Sequence, residues 1–340
     1  MGLSMRVVAP SSNGRLTERQ FQRSNAGCVG RYPRQPLAPL HVSDDLPLPV
    51  PGIKGRTVQN DLHRYNRPTY TMTSINDSKC ILVTGATSGI GRALAVALSQ
   101  LPSKPKIIGT GRRPDRLAEL EAAGIDAIPF ELDADKETIV ECIQSIIQKY
   151  PNLDAVILNA GLQREFDFLN TDINLDNLYS EINVNYLSVL ACITAVLPHF
   201  KKLAAEGRPC IIANVTSGLC VVPAVPLCNY SASKAALHSM TMSLQSQFQG
   251  TNIHFIEIIP PLVESELHDV EGTTEKLSKF WMPLSQYIPE TVQGLQNGEP
   301  QISSGPAKVA VEKFEKAKYD LTMKKALPTA SAGLSLDKNP

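Results

Sequence analysis

Along residues 79–305, short runs of consecutive apolar, β-branched residues recur, separated by stretches whose apolar positions fall three and four apart. The runs CILVTG (80–85), KIIGTG (106–111), AIPFEL (127–132), AVILNA (155–160), CIIANV (210–215) and IHFIEII (253–259) predict six strands, and PQISSG (300–305) a weaker seventh. These runs are continuously apolar instead of alternating with polar residues. Such strands are buried on both faces, so the pattern predicts a parallel sheet with helices on either side, a single doubly wound α/β domain. GRALAVALSQL and TIVECIQSIIQKY are among the intervening helices. No internal repeat is evident.

Outside that domain the periodicity fades. Residues 1–78 are rich in Pro, Arg, Ser and Asn, and LPLPVPG near 46–52 favours extended polyproline geometry. Two readings stand for this segment. Its Arg excess resembles a mitochondrial presequence, although Pro33, Pro36 and Pro39 interrupt a long amphipathic helix. Composition favours the other reading, a disordered extension or sequence upstream of a start at Met72. Residues 306–340 hold one charged helix, expected to pack at the edge or lie in solvent, and a polar tail.

Charge and cysteine usage narrow the function classes. The chain has 340 residues and a net charge of zero, but residues 1–71 carry 10 Lys/Arg against 4 Asp/Glu. The remainder is therefore acidic, which argues against nucleic acid as a partner. The seven Cys show no C-x-x-C pair, and most lie in apolar runs, as expected of reduced, buried thiols in the cytoplasm. If residues 1–71 act as a presequence, the mitochondrion replaces it. No uninterrupted apolar run reaches membrane-spanning length, so no membrane association is expected. The histidines share no metal-ligand spacing, and no metal is expected.

The first predicted strand runs into Thr84-Gly85-Ala86-Thr87-Ser88-Gly89-Ile90-Gly91-Arg92 and then a helix. Glycines there allow a tight turn and a close backbone approach to a pyrophosphate, which the helix N-terminus receives. This is the context of a Rossmann-type dinucleotide site. An acid for the ribose 2′-hydroxyl is expected about 20 residues further on. That position holds Gly111, followed by Arg112 and Arg113, whose guanidiniums suit a 2′-phosphate; the cofactor expected is NADP(H). On this reading Gly111→Asp with Arg112→Ala shifts the preference toward NAD. Asp133 after the third strand can accept the adenine amino group, and Asn159 after the fourth sits where the chain turns beside the cofactor.

Tyr230-Ser231-Ala232-Ser233-Lys234 opens a predicted helix and puts Tyr230 and Lys234 on one side. A nearby ammonium stabilises a phenolate and brings a Tyr toward the working pH range. Ser217, at the end of the fifth strand, can hydrogen-bond a substrate oxygen. Asn185 is a poor mid-helix residue, which fits a role holding a water beside Lys234.

TGATSGIG, LNAG and the set Asn185, Ser217, Tyr230 and Lys234, in this order, resemble a classical short-chain dehydrogenase/reductase over about residues 79–305. The resemblance implies hydride transfer between a nicotinamide cofactor and a carbonyl or alcohol of a small molecule, and a homo-oligomer. It assigns Tyr230 as proton donor, Ser217 as anchor of the substrate oxygen, Lys234 as ribose ligand and Asn185 as support for a proton relay. Where that family has Pro-Gly, this chain has Pro260-Pro261-Leu262-Val263-Glu264-Ser265. By resemblance Val263 and Ser265 still face the nicotinamide carboxamide. The double proline resembles an oxidoreductase subgroup named after a D-alanylation operon, which implies no firm substrate. Leu219, Cys220, Val221, Val222, Pro223, Val225, Leu227, Leu262, Phe280 and Trp281 form the expected pocket wall, or are simple core packing. An apolar wall implies an uncharged substrate. The alternative, a nucleotide-binding regulator without turnover, leaves Tyr230 and Lys234 together unexplained.

Overall fold

Seven parallel strands form one sheet: β1 (Cys80–Val83), β2 (Lys106–Gly111), β3 (Asp126–Pro129), β4 (Leu153–Leu158), β5 (Cys210–Val215), β6 (Ile253–Ile259) and β7 (Gln301–Ser303), in the order β3-β2-β1-β4-β5-β6-β7. The structure is a computed structural model that describes residues 73–170, 172–269 and 272–324. The extension expected over 1–78 thus lies outside the described residues as far as residue 72, as does the tail from 325.

Helices α1 (Gly89–Ser99), α2 (Pro114–Ala122) and α8 (Leu284–Asn297) supply one face of the sheet, and α3 (Lys136–Lys149), α5 (Ser188–Ala205) and α6 (Cys228–Gln247) the other. Successive strand residues divide between the two layers. Ile81 and Val83 join Leu94, Leu98 and Leu295 on one side, and Leu82 joins Ile143, Phe200 and Leu237 on the other. This explains the unbroken apolar runs, since each residue of a central strand has a helix to meet. β3 is the exception. It is an edge strand, half-exposed along its length, and its last residue is Pro129, which an edge tolerates.

The packed domain begins before residue 79, because Ile75 is fully buried in the α1–α8 layer. It also continues past 305. Helix α9 (Gly305–Ala310), a π turn (Val311–Glu315) and α10 (Lys316–Lys324) return along α6, with Ala307 and Val311 buried beside Ile259. The C-terminal helix is therefore part of the fold. The stretch Leu175–Ala205, which includes α4 (Leu175–Ile182) and α5, is long and apolar enough by composition to cross a membrane. Much of that apolar character is spent on the core, where Val189, Ile193, Val196 and Phe200 are buried against the sheet.

β1 lies beside β4, while the chain leaves β1 toward β2 and leaves β4 toward β5. The strand order reverses there, and a crevice is left at the carboxyl ends of these two strands.

Candidate active site

A cavity of about 990 Å³ occupies that crevice. Gly85 and Thr87 after β1, Arg112 and Arg113 after β2, Asp133, Asn159 after β4, Ser217 after β5 and Val263 and Ser265 after β6 all line it, together with Ser88, Ile90, Tyr230 and Lys234. The sequence-predicted residues thus share one space. Gly89, Gly91 and Asn185 are not among the lining residues.

The glycine turn is fixed by close packing. A Cβ on Gly91 would lie 2.3 Å from the Gly85 carbonyl oxygen and 2.4 Å from Asn159 Nδ2. Asn159 in turn donates to the carbonyls of Thr84 (3.1 Å) and Gly85 (3.4 Å), tying β4 to the turn. Helix α1 starts at Gly89 with no side-chain cap from Ser88, so its first-turn N–H groups remain free to receive an anion.

Gly111 is glycine for a steric reason: its Cβ would meet Thr87 Cγ2 at 2.3 Å. The expected switch through Gly111→Asp therefore has no room, because the acid collides with Thr87 before it can reach a ribose. The two arginines also behave differently from each other. Arg113 Nη1 pairs with Glu266 Oε2 at 2.6 Å, whereas Arg112 is exposed and 3.6 Å from Glu131. Asp133 is engaged as well, accepting from Ser180 Oγ (2.6 Å) and Asn183 Nδ2 (3.3 Å).

At the reacting end, Tyr230 lies in the first turn of α6 and is buried. Burial pushes its phenol well above the ordinary range, and a hydrogen bond with Ser217 pulls it back in part. Lys234, one turn on, donates to the Val215 carbonyl (2.9 Å), and its Nζ lies 5.7 Å from the Tyr230 ring centre. Burial lowers its pKa from 10.5 to about 8. Removing an ammonium from water disfavours its charge, so this is a cation held at a cost.

Asn185 occupies a π turn (Asn183–Leu187) between α4 and α5, the local irregularity that an Asn in mid-helix signals. Its Oδ1 accepts from Leu162 N (2.8 Å), and its Nδ2 donates to Leu162 O (2.8 Å) and Ser233 Oγ (3.0 Å). The side chain thereby clamps the segment after β4 onto α6.

The pocket wall departs from the sequence expectation. Leu219, Val222, Leu227 and Leu262 line the cavity, joined by Ala224 and Leu277. Val225 and Phe280 face solvent, at 91% and 76% exposure, and Cys220, Val221, Pro223 and Trp281 are not among the lining residues. Gln163, Arg164, Glu266 and His268 are, and the sequence reading missed all four. Gln163 Nε2 donates to His268 Nδ1 (3.2 Å) across the cavity wall, and burial lowers the His268 pKa, so the ring is neutral. The only sequence signal for Gln163 and Arg164 is their place immediately after LNAG-Leu162.

Behind the site, residues without metal-ligand spacing gather in space. Cys220, His238 and Glu257 offer donor atoms within 4.8 Å of one another. His238 Nδ1 lies 2.8 Å from Glu257 Oε1 and its Nε2 lies 3.1 Å from Glu315 Oε2. With a carboxylate at hydrogen-bond length from each ring nitrogen, the arrangement describes an imidazolium better than a metal ligand. Burial alone would lower the His238 pKa, but hydrogen bonds with Cys220 and Glu257 raise it from 6.5 to about 11. A folded-state value above the unfolded one contributes stability that is full below pH 6.5 and is lost as the pH rises toward 11. The melting temperature of wild type is therefore expected to converge on that of His238→Gln between pH 6.5 and 10; a difference independent of pH would contradict the charged pair.

Comparisons with known proteins agree with this geometry. The model of the short chain dehydrogenase family matches residues 79–276. The chain is similar to the uncharacterized oxidoreductase DltE of Bacillus subtilis (strain 168), with 30% identity over 66% of this chain and 87% of that protein. It is similar to the NADP-dependent 3-hydroxy acid dehydrogenase of Schizosaccharomyces pombe, with 32% identity over 64% of this chain and 84% of that protein. Among solved structures, a short-chain dehydrogenase from Sphingobium yanoikuyae in complex with NADPH superposes with a TM-score of 0.62 at 18% identity, over 75% of this chain and 98% of that one. One from Burkholderia phymatum in complex with NAD superposes equally, with a TM-score of 0.62 at 18% identity, over 73% of this chain and 96% of that one. At such identities the structures speak for the fold alone.

Proposed function

Since this chain belongs to the short chain dehydrogenase family, we propose that it transfers a hydride between NADP(H) and a carbonyl or alcohol group of a small molecule, with Tyr230 as the general acid and base. The observation that carries this reading is that Tyr230, Ser217 and Lys234 line one cavity, with Lys234 Nζ 5.7 Å from the Tyr230 ring centre. The residues fit a dinucleotide: the turn at Gly91 has no room for a Cβ, and the uncapped α1 N-terminus faces the same cavity. When bound, the nicotinamide cofactor supplies or accepts the hydride.

The chain's own groups handle the oxygen and the proton. Ser217 Oγ donates to the substrate oxygen and orients it. Tyr230 Oη delivers its proton to that oxygen in the reducing direction and takes it back in the oxidising one. The Lys234 ammonium stabilises the phenolate left behind. Asn185 keeps α6 in register with the segment after β4 through Leu162 and Ser233. Val263 and Ser265 border the same cavity from the β6 side, as contacts for the carboxamide. Thermal-shift and NADPH-consumption assays over a panel of carbonyls test the reading, and a protein that binds NADPH yet reduces none of them would point to the regulator instead. We also place the protein in a reducing compartment such as the cytoplasm; the six described cysteines are all free, which supports this.

A second reading of the substrate rests on Arg164. Its guanidinium lines the cavity and donates to the Asn177 carbonyl (3.3 Å), and among the described residues no carboxylate pairs with it. A cation lining the cavity favours a hydroxy acid or oxo acid over an uncharged substrate, in keeping with the name of the fission-yeast relative. A charge-assisted hydrogen bond is worth about 1.5–3 kcal/mol. Arg164→Gln is therefore expected to raise KM for a 3-hydroxy acid roughly ten- to a hundredfold and to leave neutral alcohols unaffected. Equal effects on both substrates would rule out an acid anchor.

A further inference from the structure

The ion pair between Arg113 and Glu266 joins two parts of the cavity with different tasks. Arg113 is the residue before α2, and Arg116 lies one turn into that helix. Glu266 comes from the segment after β6, six residues past Pro260. Its carboxylate spans both arginines: Oε2 lies 2.6 Å from Arg113 Nη1, and Oε1 lies 3.5 Å from Arg116 Nη2. Arg113 Nη2 also reaches the Thr87 carbonyl (3.4 Å), inside the glycine turn. The neighbouring Ser265 lies so close to the turn that a Cβ on Gly89 would fall 2.8 Å from its Oγ. The start of the substrate-side loop is thereby fastened across the place where an adenosine ribose would lie.

A carboxylate and a phosphate ask for the same thing from a guanidinium, two acceptor oxygens in a plane. Glu266 therefore stands where the terminal oxygens of a 2′-phosphate would, at a site expected from sequence to attract that phosphate. We propose that Glu266 is a specificity-determining residue that weakens the preference for NADP(H), because it holds Arg113 and Arg116 in competition with the 2′-phosphate. This rests on the reading of the Arg113 region as the phosphate site. A cofactor carrying the phosphate has to displace the carboxylate and then lie beside its negative charge. A cofactor without it leaves the pair closed and the loop fastened. Arg112 is no part of this ion pair, its Nη1 lying 3.6 Å from Glu131. Of the other acids nearby, Glu119 pairs with Arg92 and Arg116, and Asp115 lies 3.9 Å from Arg116, which leaves Arg113 to Glu266.

The test is to titrate the full-length protein with NADPH and with NADH, following cofactor fluorescence, in wild type, Glu266→Gln and Arg113→Ala. Glu266→Gln removes two partly exposed pairs and the carboxylate's repulsion of the phosphate, a change expected to tighten NADPH about three- to tenfold and to leave NADH within about twofold. Raising the salt concentration should shrink the difference, since both effects are screened. NADPH affinity that stays level or falls in Glu266→Gln, or NADH that tightens equally, would overturn the proposal. Arg113→Ala separates the role of Glu266 from that of the phosphate site. If it weakens NADPH while Glu266→Gln does nothing, only the role of Glu266 fails. If it leaves NADPH unchanged, the phosphate-site reading fails with it.

Discussion

In Tyr230→Phe, turnover of the best carbonyl falls by about 10²–10⁴ while NADPH still binds within a few-fold. The change removes one oxygen from a ring that is 6% exposed and leaves its packing in α6 nearly intact. Contacts to a dinucleotide at the Gly85–Gly91 turn and through Lys234 are untouched. What disappears is the proton that the developing alkoxide needs, and Ser217, which shares a hydrogen bond with Tyr230, cannot replace it. Burial holds the Tyr230 phenol protonated in the empty protein, the state required of a general acid. Single-turnover reduction beside a fluorescence titration separates the effects: near-normal turnover would sink the mechanism. Ser217→Ala is expected to cost a similar factor, and the double variant less than the product, because both groups act on one oxygen.

Lys234→Met should be comparably inactive, and its stability makes the result informative. The Lys234 ammonium is 3% exposed and bound to one backbone carbonyl, with burial depressing its pKa to about 8. A buried cation that burial disfavours destabilises the fold below pH 8, and the penalty fades as the pH rises toward 10.5, where the unfolded chain also loses its proton. Methionine of similar length removes that penalty and keeps the apolar stem. The variant should melt no lower than wild type at pH 7, lose most of its advantage by pH 10, and turn over about 10²–10⁴ more slowly. A large loss of melting temperature at pH 7 would mean that Lys234 holds the structure together instead of serving the reaction.

The sheet was readable because its strands are short, apolar throughout and separated by helical periods, and in the interior each residue meets a helix on its own side. β3 strayed because an edge strand ending at Pro129 obeys neither the alternating nor the buried rule. The reacting groups were readable because they sit at fixed places in the order of elements, Ser217 at a strand end and Tyr230 with Lys234 on one helical face. Residues whose role depends on a partner distant in sequence were not. Nothing near Glu266 indicates Arg113, 153 residues away. Nothing near His238 indicates Glu315, 77 residues away. Nothing near Gly111 indicates Thr87, whose side chain fills the space that a Cβ there would need.

Hydride transfer from NADPH with Tyr230 supplying the proton can be followed with NADPH deuterated at the transferring C4 position. Wild type and Tyr230→Phe would be incubated with a panel of neutral carbonyls and 3-oxo acids, and the alcohols weighed by mass spectrometry. Wild type is expected to yield product with one deuterium on the carbinol carbon, and Tyr230→Phe almost no labelled product. Product without the label, or labelled product formed equally by both proteins, would contradict it.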